Sequence, residues 1–415
     1  MAQSPELLSH GPWKRGVNTL ASDQALGTDE LRNAVNVDLT KEGHGRRRPG
    51  FTSRYATKTH SIWSDGQTLY GVTNDNLSFF TRAANGTLTP TTLRAGFPST
   101  LPVAWLALNE RVFYSNGIVT GMIYNKTQHY PWGTENPAGQ PTLTASSSGG
   151  LHAGRYQIAV TFVSSLGEEG GTGQAAAVDV AAGGGISLSA IPQPKDASVT
   201  KIRIYRTEAN ADVFYLYGEY AVGTTSASVG ASNSLGKVLD TQFLYPPPPG
   251  GLLEAYNGRI YIVAGSVIWY TEALRPGAIR MTNFKLWPSD INLFAAVDNG
   301  IIVGSEAIDF LQGSDPKNMV LLPRLPFGAV KGTLVRDTKT KTLTWFSPQG
   351  LCRADAQGNM AVVNHNVTFE HADQGAALLR EVNGIRQVVG VMKGGAASTL
   401  TNQDLIDAEA VRKTP

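Results

Sequence analysis

The sequence predicts an all-β fold: a β-propeller of about six blades that is interrupted by an inserted β-sandwich. Three observations predict it. Only 16% of the 415 residues are charged and 45 are glycines, a composition typical of strands joined by exposed turns. A hairpin pattern recurs along the chain. A segment without this pattern separates two of its copies.

The recurring pattern is clearest in residues 252–270, which contain three strand-like runs. The first two runs are joined by Asn257-Gly258, and the second and third by Gly265-Ser266. An Asn-Gly pair in this position predicts a two-residue type I′ turn, because that turn needs positive φ at both central residues. Related runs accompany four other turn pairs: Asp65-Gly66, Asn116-Gly117, Asn299-Gly300 and Asn383-Gly384.

The spacing of these turns indicates the length of the repeat. Gly258 and Gly384 are 126 residues apart, or three units of about 42 residues, the length of a four-stranded blade. Gly117 and Gly258 are 141 residues apart, too far for one blade. Removing the 105 residues 141–245 leaves 36, again close to one blade. The propeller is therefore predicted to continue on both sides of an insertion.

The insertion is predicted to be a sandwich of short strands. Tyr156, Ile158, Val160 and Phe162 occupy alternate positions, the pattern of a strand. About seven such runs in roughly 105 residues fit a fibronectin type III or immunoglobulin-like sandwich. Four prolines at 246–249 close the segment and favour a stiff polyproline II spacer. We expect the sandwich to project outward on this spacer.

The chain is predicted to contain five segments. They are an N-terminal arm (1–15), a first propeller segment (16–138), the fibronectin III/Ig-like insertion (139–248), a second propeller segment (249–398) and a C-terminal tail (399–415). The tail is either a helix or a disordered segment used for docking, or a frayed terminus. Val35, Val37 and Leu39 alternate with polar residues, which predicts a half-buried strand along which residues 45–48 pair back. We expect strands from both ends of the chain to complete one blade together.

Arg46, Arg47 and Arg48 are the candidate site residues, as a docking surface for another subunit or a neighbouring protein. One alternative is a solvated edge that blocks unwanted strand pairing. A salt-bridging or phosphate-facing role is the other. The net charge of the whole chain is only +2, so its average charge gives no strong attraction to nucleic acid or membranes.

Residue patterns that carry catalysis are missing from the sequence. The seven histidines lack the spacing of a zinc motif, and no Gly-x-Ser-x-Gly elbow or phosphate-binding loop occurs. Glycoside hydrolysis needs two facing carboxylates, and nothing singles out such a pair among Glu168, Glu169 and Glu254. We therefore expect no enzyme activity, no cofactor and no metal site. With one cysteine and no leader or spanning segment apparent, we expect a reducing compartment and no membrane anchor.

Three segments near the N-terminus resemble the opening of a known family. They are Gly-Val-Asn at 16–18, Asn-Ala-Val-Asn-Val-Asp at 33–38 and Arg-Arg-Pro-Gly-Phe at 47–51. Together they are similar to bacteriophage tail proteins of the nozzle or packaged-DNA stabilisation type. Residues 299–313 resemble a blade of that family. The insertion, with Gly167-Glu168-Glu169 and residues 203–207, resembles the fibronectin-like insertions of phage tail components.

This resemblance implies a structural virion protein of the tail, synthesised in the host cytoplasm. Such proteins form homo-oligomeric rings, usually hexamers, that continue the DNA channel, retain packaged DNA and open for genome ejection. The implied partners are other copies of the chain, tail adaptor or portal-proximal proteins, and tail fibre or tip proteins. Genomic DNA would pass non-specifically through the channel. A near-neutral chain fits a conduit, because a strongly basic lumen would hold phosphates.

A receptor- or carbohydrate-binding tail module is the alternative function. In that case the sandwich would touch the host surface, and Tyr215, Tyr217 and Tyr220 are the aromatic residues that could serve it. The default for alternating tyrosines is core or cross-strand packing.

Overall fold

A computed structural model describes residues 12–34, 37–40, 42–47, 52–98, 100–232, 234–364, 366–367, 372–382 and 385–394. Within these ranges the regular secondary structure consists of strands, without a helix, so the predicted all-β class is confirmed. This part of the chain accordingly has no helix of the length and apolarity needed to traverse a bilayer. The chain divides into two compact units, residues 1–54 with 289–415 and residues 55–288.

Four short strands open the first unit and form two pairs. They are β1 (Gly16–Val17), β2 (Glu30–Leu31), β3 (Val37–Leu39) and β4 (Gly45–Arg47). Strands β1 and β2 are parallel. Strands β3 and β4 are antiparallel, with Val37 opposite Arg47. The predicted return of the chain along the strand at 37–39 is therefore confirmed.

An asparagine fixes the backbone after β1. Asn18 Oδ1 accepts hydrogen bonds from the N–H groups of Leu20 and Ala21, both at 3.1 Å, which is how asparagine stabilises a turn. Its Nδ2 donates to the carboxylate of Glu30, whose side chain is buried. The Gly-Val-Asn segment thus has a local structural role.

The described residues of the second unit form 21 strands. In chain order they are β5 (Thr59–Ser64), β6 (Leu69–Thr73), β7 (Asn76–Arg82), β8 (Leu88–Arg94), β9 (Ala104–Leu108), β10 (Arg111–Ser115), β11 (Thr120–Tyr124), β12 (Gln128–Tyr130), β13 (Thr142–Ser146), β14 (Gly154–Ser164), β15 (Ala176–Val180), β16 (Gly185–Ser189), β17 (Val199–Thr207), β18 (Phe214–Ala221), β19 (Ala227–Val229), β20 (Leu244–Tyr245), β21 (Leu252–Tyr256), β22 (Arg259–Ala264), β23 (Val267–Tyr270), β24 (Ile279–Arg280) and β25 (Phe284–Leu286). Three antiparallel sheets repeat one meander, with the orders β5-β6-β7-β8, β9-β10-β11-β12 and β21-β22-β23-β25.

Several tight turns between consecutive strands of these meanders start with an asparagine that has positive φ. Asn257 and Gly258 have φ of 46° and 72°, which confirms the positive φ expected at both positions of that turn. The pairs Asn74-Asp75, Asn109-Glu110 and Asn125-Lys126 also have positive φ at both residues. Asparagine tolerates this region better than most residues. The turn predicted from one Asn-Gly pair therefore recurs without glycine.

The three meander sheets pack face to face through strands that are buried on both sides. In β10, Val112 and Tyr114 join a core cluster with the first sheet. Phe113 points the other way, into a cluster with Ile260 and Ile262 of the third sheet. Successive side chains of a strand point to opposite faces, so one strand contributes to two cores.

The insertion forms two sheets between the second and third meanders. Their orders are β13-β16-β19 and β15-β14-β17-β18. The alternating residues Tyr156, Ile158, Val160 and Phe162 all lie in one core cluster that both sheets contribute to, as the strand pattern predicts. The segments that lead into and out of the insertion are joined by a hydrogen bond, in which Asn136 Nδ2 donates to the Leu244 carbonyl at 2.7 Å.

The proline run, predicted to be a stiff spacer, is partly buried. Pro247 is buried. Just beyond it, the N–H of Gly250 donates to Ser115 Oγ at 2.9 Å in a buried hydrogen bond. Ser115 ends β10, so the segment that leaves the insertion is fastened to the second meander.

The remaining strands of the first unit form two more four-stranded meanders and a ribbon. They are β26 (Leu293–Val297), β27 (Gly300–Gly304), β28 (Ile308–Gln312), β29 (Val320–Leu325), β30 (Val335–Asp337), β31 (Thr342–Ser347), β32 (Gly350–Ala354), β33 (Met360–Asn364), β34 (Ala372–Val382) and β35 (Ile385–Gly394). Strands β26–β29 and β30–β33 pair in chain order, and β34 pairs with β35. Ile302, Phe310 and Trp345 lie in a core that both meanders share.

Candidate functional site

Two of the three predicted docking arginines lie on an exposed strand of the first unit. Arg46 and Arg47 are exposed on β4, and Arg48 lies outside the described residues. Neither Arg46 nor Arg47 forms a side-chain ion pair with the described part of the chain. Docking at these residues stays a prediction.

A more extensive cluster of charges lies in the second unit, in a cavity of about 280 Å³. We call it the charged cleft. It lies where the loop after β14, the segment before β20 and the loop after β23 meet. Its charged lining residues are Glu168, Glu169, Arg203, Lys237, Asp240 and Arg275. Three carboxylates thus face three cations.

Glu169 is the most buried charged residue of the charged cleft, with 6% of its side chain exposed. Its carboxylate accepts hydrogen bonds from Thr161 Oγ1 at 2.6 Å, Tyr205 Oη at 2.7 Å and Arg203 Nη1 at 2.5 Å. Burial, followed by the hydrogen bond and charge of Glu169, raises the pKa of Tyr205. Burial opposes the charge of Arg203, but its bonds to Glu219 and Glu169 raise its pKa overall.

Glu168 points away from its neighbour and joins the insertion to the second meander. Its carboxylate forms an ion pair with Arg111 at the start of β10. Its carbonyl accepts a hydrogen bond from Thr134 Oγ1 at 3.0 Å. The two adjacent glutamates therefore have separate partners, and each holds a different segment in place.

Asp240 forms the third group of contacts, with Arg275 at 2.5 Å and Lys237 at 3.2 Å. Burial alone would raise its pKa, but the hydrogen bonds and charges of these two cations lower it overall. Each carboxylate of the charged cleft is thus paired with a cation. Such an arrangement suits the joining of segments better than proton transfer, which needs one carboxyl held as the acid.

The charged cleft continues into two further cavities of about 270 and 480 Å³. The first shares Glu168, Leu274 and Pro276 with it. The second shares Leu108, Asn109 and Arg111 with the first. Each of the three cavities therefore neighbours the next.

Two of the three tyrosines that could bind a host surface are used for packing. Tyr217 and Tyr220 pack against the core of the insertion. Tyr217 Oη also accepts a hydrogen bond from the N–H of Gly230 at 3.1 Å, and Tyr215 is partly buried. The packing expected of alternating tyrosines is confirmed for Tyr217 and Tyr220.

A pair of titratable side chains, buried Tyr114 and half-buried His129, lies in the second meander. Tyr114 Oη is 2.6 Å from His129 Nε2, and Arg94 Nη1 donates to the same phenol at 3.3 Å. Burial, and then the charge of Arg94, lower the pKa of His129 to about 4. Burial likewise raises the pKa of Tyr114. The neutral ring of His129 can therefore accept a hydrogen bond from the phenol.

Sequence reasoning missed the charged cleft because its members have no common local pattern. Glu169 and Arg203 are 34 residues apart, and Asp240 and Arg275 are 35 apart. The Gly-rich loop with two glutamates at 168–169 is the only local signal that could have pointed to it. Within the described ranges, no group of three His, Cys, Asp or Glu residues is placed to hold a metal ion.

Comparisons with known proteins give structural similarity alone. No protein-family model and no curated protein sequence matches the chain. Virginiamycin B lyase from Staphylococcus aureus is similar over 81% of this chain and 92% of its own, with 11% identity and a TM-score of 0.33. The WD40 beta propeller domain of Doa1 is similar over 82% and 94%, with 7% identity and a TM-score of 0.29. AztD from Citrobacter koseri is similar over 81% and 75%, with 10% identity and a TM-score of 0.30.

Proposed function

We propose that the chain is a structural virion protein of a bacteriophage tail, a nozzle or hub ring that continues the DNA channel. The observation that carries the proposal is the order of the structural elements. Short strand pairs with the Gly-Val-Asn segment come first, followed by repeated four-stranded meanders with a two-sheet insertion between the second and third. This is the order expected from the resemblance of residues 16–18, 33–38 and 47–51 to tail nozzle proteins.

In this proposal the meanders are blades of a propeller of about six. Five four-stranded meanders are described, and the sixth blade would combine strands from both ends of the chain. In its support, Arg380 of β34 forms an ion pair with Asp38 of β3 at 2.9 Å. Closure of such a ring removes sheet edges, which suits a wall that resists the pressure of packaged DNA.

We propose that the insertion is a fibronectin III/Ig-like sandwich. Its order β14-β17-β18 corresponds to strands C, F and G of an immunoglobulin fold, and β13 and β16 correspond to B and E. It has seven strands, β13 to β19. It departs from that fold at β19, which comes last in the chain but extends the smaller sheet beside β16.

The charge distribution supports a conduit without enzyme activity. The charged cleft balances three carboxylates with three cations, and the whole chain carries +2, so neither favours retention of phosphates. The proposed partners are other copies, tail adaptor or portal-proximal proteins, and fibre or tip proteins. Since Tyr217 and Tyr220 are used for packing, no observation favours the receptor- or carbohydrate-binding alternative.

Negative-stain electron microscopy of the purified chain with its adaptor ring tests this function. A closed ring with a central channel is expected. A monomer that binds glycans on an array would contradict the proposal and favour the receptor-binding alternative. Turnover of a glycan that is abolished by Glu168→Gln or Glu169→Gln, with the fold retained, would favour an enzyme.

A further inference from the structure

The insertion continues into the third meander through a short link, residues 240–243. Before the link, the N–H of Leu239 donates to the carbonyl of Phe214 in β18 at 3.0 Å, so the chain still belongs to the insertion there. After the link, β20 pairs with β24, which lies between β23 and β25 of the third meander. The link is therefore the place where the chain passes from one module to the other.

Three contacts hold this crossing closed. Asp240, at the start of the link, pairs with Arg275 of the loop between β23 and β24 at 2.5 Å, and the two side chains are 42% and 44% exposed. Ion pairs as exposed as this one stabilise weakly. Beyond the link, β20 and β24 pair over only two residues each, and Leu244 of β20 is buried. We call residues 240–245 and 272–280 together the exit latch.

A tight turn with a strained residue closes the link. The N–H of Leu244 donates to the Thr241 carbonyl at 3.1 Å, and Phe243 is the third residue of this turn, with φ of 64°. Turns with positive φ at the third position normally have glycine or asparagine there, because a large side chain is unfavourable in this region. Phe243 is 62% exposed, so packing compensates for only part of this strain.

A second turn of the same kind lies on the other side of the exit latch. The N–H of Arg275 donates to the Glu272 carbonyl at 3.2 Å, and the third residue of this turn is Leu274, with φ of 58°. Leu274 lies over Gly258 and lines the charged cleft, but it remains 85% exposed. All other non-glycine residues with positive φ in the described ranges are polar or alanine. The exit latch thus contains both large apolar residues that adopt this conformation.

The exit latch therefore combines contributions of opposite sign. Its ion pair, strand pairing and buried leucine favour the closed state. The two turns oppose that state, because opening relieves the strain at their third residues. Thr241 also opposes it, since its buried Oγ1 has no hydrogen-bond partner in the described part of the chain, and opening would let water hydrate this hydroxyl. Such a balance is the property of an element with two accessible arrangements.

The charged cleft gives the two sides of the exit latch room to separate. Asp240 and Thr241 line this cavity from the link, and Leu274 and Arg275 line it from the facing loop. The space between the two turns is therefore not filled by protein. The ion pair of Glu168 with Arg111 lies outside the exit latch, so it can keep the insertion attached to the second meander while the latch opens.

We propose that the exit latch is a two-state element that opens while the rest of the second unit stays folded. In the closed state Asp240 pairs with Arg275, and β20 pairs with β24. In the open state these contacts are broken, both turns relax, and the insertion can change its angle to the third meander. The two turns open and close together. This conformational device lies within one chain and does not depend on the proposed ring.

Hydrogen exchange of the full chain, followed by mass spectrometry on peptides that cover the two turns, tests this coupling. Asp240→Asn removes the charge of the ion pair and should accelerate exchange in both turns about two- to fivefold. Leu274→Gly and Phe243→Gly should each slow exchange in both turns by a similar factor of about two to five. The reason is that relief of strain exceeds the freedom that glycine adds to the open state. The essential measurement is exchange in the turn that does not carry the substitution.

Ala190→Gly is the matched control, because Ala190 is an exposed residue of the insertion with φ of 50° but lies outside the exit latch. It should change exchange in neither turn. Exchange in β21 and β22 should stay the same in every variant, which shows that the third meander remains folded. If both glycine variants leave exchange in the opposite turn unchanged or make it faster, the two turns do not open together and the proposal is wrong.

Discussion

Tyr114 and Gly121 face each other across β10 and β11, and the phenol of Tyr114 occupies the space that a side chain at position 121 would need. Gly121 does not have positive φ, so its backbone conformation does not require glycine. Glycine is required because the tyrosine side chain lies so close to the backbone at this position. Tyr114 is fully buried and cannot move aside without disturbing the core that it shares with Val112 and Tyr70.

The substitution Gly121→Ala should therefore destabilise the second unit by about 1–3 kcal/mol, the usual cost of overpacking a core. Denaturant unfolding of the purified variant measures this loss. Gly139→Ala is the control, because nothing lies within 4 Å of a methyl group there. Equal stability of the two variants would show that the packing around Tyr114 can adapt.

His129 should make stability depend on pH. Its pKa is about 4 in the folded chain and about 6.5 when unfolded, so the unfolded state binds more protons between these values. The stabilisation is complete above pH 6.5 and is lost as pH falls through 4. We expect a loss on the order of 2 kcal/mol, after an allowance for the partly exposed ring.

The variant His129→Gln isolates this effect, because glutamine can still accept a hydrogen bond from Tyr114 but does not titrate. Thermal unfolding at pH 7.5 and pH 4.5 should show a smaller decrease for the variant than for the wild type. The same decrease in both proteins would assign the pH dependence to other groups.

Glu169→Gln should weaken the insertion, because Arg203 and Tyr205 lose a charged acceptor that is almost fully buried. Truncating one partner of a buried charge pair costs about 2 kcal/mol or more. Glu219→Gln provides the comparison: Glu219 also pairs with Arg203 but is 35% exposed, so about 1 kcal/mol or less is expected. Chemical denaturation of both variants should rank them in this order.

Ser115→Ala should destabilise the joint between β10 and the segment that leaves the insertion. The buried N–H of Gly250 would lose its acceptor, at a cost of about 1–3 kcal/mol. Ser64→Ala removes a similar hydrogen bond, to the N–H of Gly66, at an exposed turn and should be nearly neutral. Limited proteolysis after the proline run should be faster in Ser115→Ala alone.

The residue pairs near tight turns could be predicted from the sequence more reliably than the exact position of each pair relative to the strands it joins. At Asn257-Gly258 both residues have positive φ, as predicted. At Asn299-Gly300 the glycine is already in β27, opposite Val297, and does not have positive φ. A side chain at position 300 would instead meet the Leu311 carbonyl. The same residue pair thus serves two physical purposes, which the sequence alone does not distinguish.

Features that depend on distant residues could not be predicted. The hydrogen-bond partners of Glu169 lie on β14 and β17, and no local spacing connects them. Phe243 and Leu274 have positive φ, although large side chains strongly prefer negative φ. Residue propensity would therefore have predicted the wrong backbone conformation at both positions. The composition of the proline run predicted a stiff spacer, but it gave no sign of the hydrogen bond from Gly250 to Ser115 of β10 just beyond the run.

The hydrogen bond from Asn136 to the Leu244 carbonyl has an evolutionary consequence. It brings the two ends of the insertion side by side, so the chain that crosses into the third meander starts close to where the second one stops. A short turn could replace everything between them without shifting either sheet. Gain, loss or exchange of a whole module is tolerated at such a position, so chains with different insertions can share one scaffold.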